Sequence, residues 1–232
     1  MKTWAEILDA VKRVYDESWT RRDGRKVPEA EDVALGNVGV DIEGAVLYAD
    51  MRSSTDLVDS YKDSFAAEMY KTFLVSACDV IRNNNGVITS FDGDRVMGIF
   101  YGDRKCSDSA KTGLQIHAIM RAVNKQIIES YPSTKFRIDY AVGIDVSNLL
   151  AIRTGIRGSN DLAWIGAAAN NAAKLSELRS FSDKTFITKR LFQRLNKQSM
   201  YGGKNSECMW RELDVNVMGQ QVMGSSWTWT FD

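Results

Sequence analysis

Apolar residues fall along this chain in two rhythms. Trp4, Ile7, Leu8, Val11 and Val14-Tyr15 recur at helical spacing within residues 1 to about 20. From Asp56 onward, Leu57, Tyr61, Phe65, Met69, Phe73, Ala77 and Ile81 fall at steps of four, which predicts one long amphipathic helix. Asn83-Asn84-Asn85-Gly86 stops it. Leu114, His117, Met120 and Ile127 predict another helix from about Ser107 to Ser130, ended by Pro132. An Ala-rich helix follows over 167–178, and a short one at about 189–195. The second rhythm is that of strands. Val46 to Ala49 is a short apolar run, and Val87–Phe91 and Val96–Phe100 flank the tight turn Asp92-Gly93-Asp94-Arg95. Phe136, Ile138, Tyr140, Val142, Ile144 and Val146 alternate strictly. Leu149–Ile152 and Leu162–Ile165 read as hairpin arms across the Gly-rich, basic loop 153–158, which includes Arg157. Thr185–Ile187 is a short strand, and the tail alternates at Met209–Val217 and Val222–Phe231. The charged stretch Thr20–Lys26 reads as a solvated connector.

Long helices alternating with strands predict an α/β (α+β) architecture, a mixed sheet with helices packed on it. The chain has 232 residues, 44% hydrophobic and 26% charged, with only 2 prolines and no break in composition, so one domain is the economical reading. Lys+Arg and Asp+Glu balance at 30 each, which removes the global electrostatic case for nucleic acid or a membrane surface. No apolar run approaches the roughly 18 residues of a membrane span. A polar N-terminus does not read as a signal peptide, and the expected location is cytoplasmic. Three cysteines at unrelated spacings, Cys78, Cys106 and Cys208, fit neither a disulfide framework nor a zinc site. His117 is the single histidine, so catalysis must come from carboxylates, cationic side chains and metal.

The candidate chemistry centres on Val46 to Thr55. The apolar strand delivers Asp50 to its tip, and Ser53, Ser54 and Thr55 stand at the start of the helix. Asp supplies a hard oxygen ligand, and a helix start supplies free N–H groups for phosphate. Asp94 lies 44 residues further on, at the tip of the Asp92–Arg95 hairpin. If that hairpin pairs beside the central strand, both carboxylates reach one end of one sheet, which is what two-metal phosphoryl transfer needs. Asp92 is the alternative ligand, but Asp94 stands closer to the following strand.

Three stretches carry a resemblance. Val46 to Thr55 resembles the first metal-binding strand and phosphate loop of class III nucleotidyl cyclases. Phe91 to Phe100 is similar to their second-metal hairpin, and Trp164 to Lys174 to their last signature. The resemblance covers roughly residues 42–230 and implies a ferredoxin-like cyclase catalytic domain at 42–232, preceded by a helix and connector at 1–41. It further implies a homodimer with active sites at the interface. Asp50, Met51 (through its carbonyl) and Asp94 would hold two Mn²⁺ or Mg²⁺ ions per site. Asn170 would bind the ribose from the other subunit, with Lys174 as its transition-state cation. The 3′-hydroxyl would attack the α-phosphate and expel pyrophosphate.

Departures from the purine cyclases narrow the substrate. The purine-reading Lys is replaced by Ser90 and the purine-reading Asp or Cys by Ala163. Losing both would leave a purine edge unpaired. Met218 stands near where adenylate cyclases carry a phosphate-binding Lys, and Lys174 replaces the catalytic Arg. Arg52 and Arg95 are the candidates to meet the triphosphate charge. In this combination the chain resembles the pyrimidine cyclases of the bacterial Pycsar anti-phage system, in which the cyclic nucleotide activates a separate effector protein. Tyr48, on one strand face with Asp50, and Arg95 are the candidate base readers. The implied reaction is UTP to cyclic UMP. CTP to cyclic CMP, an adenylate or guanylate cyclase, a non-catalytic nucleotide-binding module and a polymerase-like palm follow in that order.

Overall fold

The structure, a computed structural model, describes residues 2–156 and 158–231; Arg157 of the basic loop lies outside them. The chain opens with helix α1 (Trp4–Asp16), strand β1 (Thr20–Asp23) and a long strand β2 (Val38–Arg52). Helices α2 (Ser54–Ser60) and α3 (Asp63–Asn83), the hairpin β3 (Val87–Asp92) and β4 (Arg95–Phe100), and helix α4 (Lys105–Ser130) follow. Then come β5 (Asp139–Ile156), β6 (Ser159–Ile165), α5 (Ala167–Ser176) and β7 (Thr185–Thr188). The chain closes with α6 (Lys189–Phe192), α7 (Lys197–Met200), β8 (Tyr201–Gly202), β9 (Glu207–Cys208), β10 (Arg211–Val217) and β11 (Gln220–Ser225).

These elements divide into two units, with β2 and β5 running from one into the other. The larger, Gly44–Ser147 with Ala167–Asp232, holds a mixed sheet in the order β10-β11-β7-β5-β2-β4-β3. Only β5 and β7 are parallel among its recorded registers. Period-two alternation sorts its faces. Tyr140, Val142, Ile144 and Val146 on β5, with Ala45, Leu47, Ala49 and Met51 on β2, join the main core under α3 and α4. The alternate positions face the other way, where Ala141 packs with Leu175 of α5, Phe186 and Leu213.

On that second face α5 lies directly on the backbone of β5. A Cβ at Gly143 would fall inside van der Waals contact with the Ala172 carbonyl, the Ser176 N–H and Leu175 Cβ. Gly143→Ala must therefore lift the helix, at a cost of about 3 kcal/mol. Urea denaturation would check this; an unshifted midpoint would mean that α5 is not seated so closely. Two residues along the same face, the fully buried Asp145 accepts from Asn171 Nδ2 at 2.7 Å, from Arg190 Nε at 2.7 Å and from the Thr188 hydroxyl. This network fixes the rotation of α5 from underneath.

The smaller unit comprises Met1–Glu43 and Asn148–Gly166. Within it β1 runs parallel to β2, Thr20 opposite Val38. β5 and β6 form a hairpin, Leu150 opposite Ile165 through Ile156 opposite Ser159. Arg153 donates through Nε to Asn160 Oδ1 at 2.6 Å, bracing the hairpin's tip.

Several expectations are corrected. Thr20–Asp23 is a strand, not a solvated connector, with the Arg21 guanidinium bound to the Asp41 carboxylate of β2. The central strand is 15 residues long, because alternation already begins at Val38 and Val40. The long helix from Asp56 is broken: Tyr61 is extended (φ −126°, ψ 164°), and α3 restarts at Asp63, whose Oδ1 accepts from the Ser64 N–H at 2.7 Å. Apolar spacing runs unchanged across the break, since both helices cover the same core. Strand β5 continues without interruption into the first hairpin arm. The last strand ends at Ser225, and the tail then crosses α4: the Trp229 N–H donates to the Leu114 carbonyl at 3.1 Å. Its alternating tryptophans, Trp227 and Trp229, lie outside the sheet. Among the described residues no helix is long and apolar enough to cross a membrane.

Candidate active site

Antiparallel pairing of β2 with β4 places Asp50 opposite Arg95, and β3 places Asp92 opposite the same Arg95. The turn between β3 and β4 is the two residues Gly93 and Asp94, with Gly93 at φ +61°, as a two-residue hairpin requires. The Met51 N–H donates to the Asp94 carbonyl at 3.3 Å, which fastens the turn to the end of β2. Asp50 and Asp94 therefore stand together at one sheet end. Burial raises the Asp50 pKa above the ordinary carboxylate value, and the charge of Asp94 raises it further.

Asp92 and Asp94 differ in their surroundings. Asp92 is 78% exposed and pairs with Arg95 Nη2 at 3.0 Å. Asp94 is the one of the two whose charge is felt at Asp50.

Tyr48 and Asp50 share the face of β2 turned away from the main core, as the alternation predicts. The Arg95 guanidinium lies over the Tyr48 ring, 5.3 Å from its centroid. Ser53 adopts the left-handed conformation (φ 57°, ψ 30°) and starts α2 without a side-chain cap. Ser53 and Thr55 are exposed and Ser54 half-buried. Ser90 pairs with Met97. Ala163 lies in the smaller unit, opposite Ile152 on β5.

Arg52 is placed differently from the sequence expectation of a phosphate ligand. Its side chain is 6% exposed, donates to the Leu178 carbonyl and sits 3.7 Å from Asp139 Oδ2. It braces the strand end from inside. Asn170 and Lys174, one turn apart on α5, are both exposed. Lys174 borders an open pocket with Glu177, Leu178, Asn216 and Met218. Met218 and Gly219 form the turn of the β10–β11 hairpin.

Sequence reasoning missed Arg179. Its Nη2 donates to Asp50 Oδ2 at 3.3 Å and its Nη1 to the Ser176 carbonyl at 2.8 Å. Arg95 Nη1 also lies 3.6 Å from Glu177 Oε1. No local pattern marks residues 177–179, which reach the carboxylate end of β2 only through the fold. The Asp145 network was missed for the same reason: a lone Asp in an apolar strand carries no local sign of its partners.

Among the described residues no group of three or more His, Cys, Asp or Glu could hold a metal. The chain presents two close carboxylates and nearby backbone carbonyls, a set that fits cations whose remaining ligands are phosphate and water rather than a closed protein cage.

The chain is 37% identical over 230 residues to a uridylate cyclase of Xanthomonas perforans, covering 98% of each chain. It is 40% identical over 222 residues to a uridylate cyclase of Burkholderia cepacia, covering 95% of each. The crystal structure of the adenylyl cyclase CyaB from P. aeruginosa superposes with a TM-score of 0.69 at 17% identity, over 81% of this chain and 95% of that one. No family model matches.

Proposed function

This chain belongs to the uridylate cyclase family, and we propose that it converts UTP to 3′,5′-cyclic UMP and pyrophosphate. The observation that carries the reading is the meeting of Asp50 and Asp94 at one strand end, with Tyr48 and Arg95 stacked beside them. Asp50, Asp94 and the Met51 carbonyl would hold two Mn²⁺ or Mg²⁺ ions per site, and these would supply a lowered pKa for the 3′-hydroxyl and charge neutralisation for the departing pyrophosphate. The Ser53–Thr55 turn receives the phosphates. Tyr48 offers its ring edge to the base, and Arg95, held over that ring, donates to a pyrimidine carbonyl. A pyrimidine is compatible with Ser90 and Ala163, which supply no purine reader. Asn170 orients the ribose and Lys174 stabilises the developing charge, both from the second copy of a homodimer. Residues 42–232 form the catalytic domain in this reading, including the β5–β6 hairpin that clusters with the N-terminal unit. The enzyme works in the cytoplasm, and its product is a second messenger of anti-phage defence, read by a separate effector protein.

Incubation with Mn²⁺ and each of ATP, GTP, CTP and UTP in turn, with mass analysis of the products, tests the reading. Cyclic UMP from UTP alone is the expected result. Cyclic CMP would keep the mechanism and overturn the base assignment, and a purine product would overturn the reading of Ser90 and Ala163.

A further inference from the structure

Three consecutive residues after α5 close over the carboxylate end of β2. Glu177 meets Arg95, the Leu178 carbonyl receives Arg52, and Arg179 reaches Asp50. The three arginines differ in freedom. Arg52 is buried, and Arg95 is engaged by Asp92, Glu177 and the Tyr48 ring. The Arg179 side chain is 47% exposed; its Nη1 donates to the neighbouring Ser176 carbonyl at 2.8 Å, and its Nη2 pair with Asp50 is 3.3 Å long. With its cation half in solvent and its length at 3.3 Å, the pair contributes little to stability and breaks readily.

A cation held by Asp50 would place two positive charges side by side with Arg179 in place. The guanidinium is a fork suited to phosphate, on a flexible stem already at the site. A triphosphate needs such a cation here, since Met218 is uncharged and Arg52 faces inward.

We propose that Arg179 is an exchangeable counter-ion of the site: it pairs with Asp50, yields that carboxylate to the divalent cation, and turns to the β- and γ-phosphates of the bound nucleotide. The assignment rests on the cyclase reading above and adds a binding residue to it.

The test uses the full chain and two ligands. Mn²⁺ binding without nucleotide is followed by the electron paramagnetic resonance of free Mn²⁺. Binding of 3′-deoxyuridine triphosphate, which lacks the attacking hydroxyl, is compared with binding of UMP. Arg179→Gln is expected to bind Mn²⁺ several-fold tighter, to bind the triphosphate about tenfold weaker, and to leave UMP unchanged. Arg179→Lys should recover part of the triphosphate affinity. Unchanged or weaker Mn²⁺ binding in Arg179→Gln overturns the exchange, as does an equal loss for triphosphate and UMP. Asp50→Asn separates the two layers. If it loses Mn²⁺ while Arg179→Gln behaves as the parent, Arg179 alone is misassigned. If it keeps Mn²⁺ at parental affinity, the metal reading falls and this proposal with it.

Discussion

Asp50→Asn eliminates cyclic nucleotide formation, by at least about 10³-fold, while the protein unfolds at the same temperature or higher. The two halves of this result have one cause. The Asp50 side chain is 12% exposed and faces the charge of Asp94. Folding thus holds two carboxylates together in a partly desolvated place, and the long pair to Arg179 and the charge of Arg95 compensate only in part, since the Asp50 pKa stays raised. Asparagine keeps the shape, removes the repulsion and removes the ligand. Asp145 provides the contrast within the same strand system. It is fully buried but bonded by Arg190, Thr188 and Asn171, so Asp145→Asn lowers stability. Product assays and thermal melts on both variants check the pair of expectations. If Asp50→Asn melted markedly lower and still cyclised UTP, Asp50 would be a structural residue like Asp145.

The same contrast explains what could be read in advance. The place of Asp50 near the end of β2 is local information, because it closes an apolar run and a polar turn follows. Asp94 is legible because Gly93 marks the hairpin. The strand faces follow from alternation: Tyr48 shares Asp50's face, and Tyr140 to Val146 mark the core side of β5. The α2–α3 break was not legible, because Leu57, Tyr61 and Phe65 keep helical spacing while the backbone bends at Tyr61. The pairing of β1 was hidden beneath its charge, since a four-residue edge strand needs no apolar side chains when the Arg21–Asp41 pair borders its ladder. Arg52 was a candidate phosphate ligand because Met218 stands near where adenylate cyclases carry a Lys. Adjacent strand residues point to opposite faces unless the strand ends, and Arg52, two residues on, follows Asp50's face inward to Leu178. Arg179 lies 129 residues from its partner, a separation that no pattern along the chain can bridge.

Two inactive variants, mixed, regain activity. In the proposed dimer Asp50 and Asp94 belong to one copy, and Asn170 and Lys174 to the other. Neither Asp50→Asn nor Lys174→Ala homodimers contain an intact site. A mixed dimer contains one: Asp50 from the Lys174→Ala subunit meets Lys174 from the Asp50→Asn subunit, while its other site carries both defects. Random reassortment makes half the dimers mixed, and each carries one site of two, so activity returns to roughly a quarter of the parental value. The exposure of Asn170 and Lys174 on a helix whose opposite side is pinned by Gly143 and Asp145 suits this division, because α5 is held rigidly while its outer face stays free for a second copy. The two purified variants are exchanged under conditions that let subunits reassort, then assayed with UTP and Mn²⁺. Recovery that rises with the mixed-dimer fraction places each site between two chains. Complete reassortment without recovery would mean that all four residues act within one chain, and α5 would then have to reach Asp50 and Asp94 of its own copy.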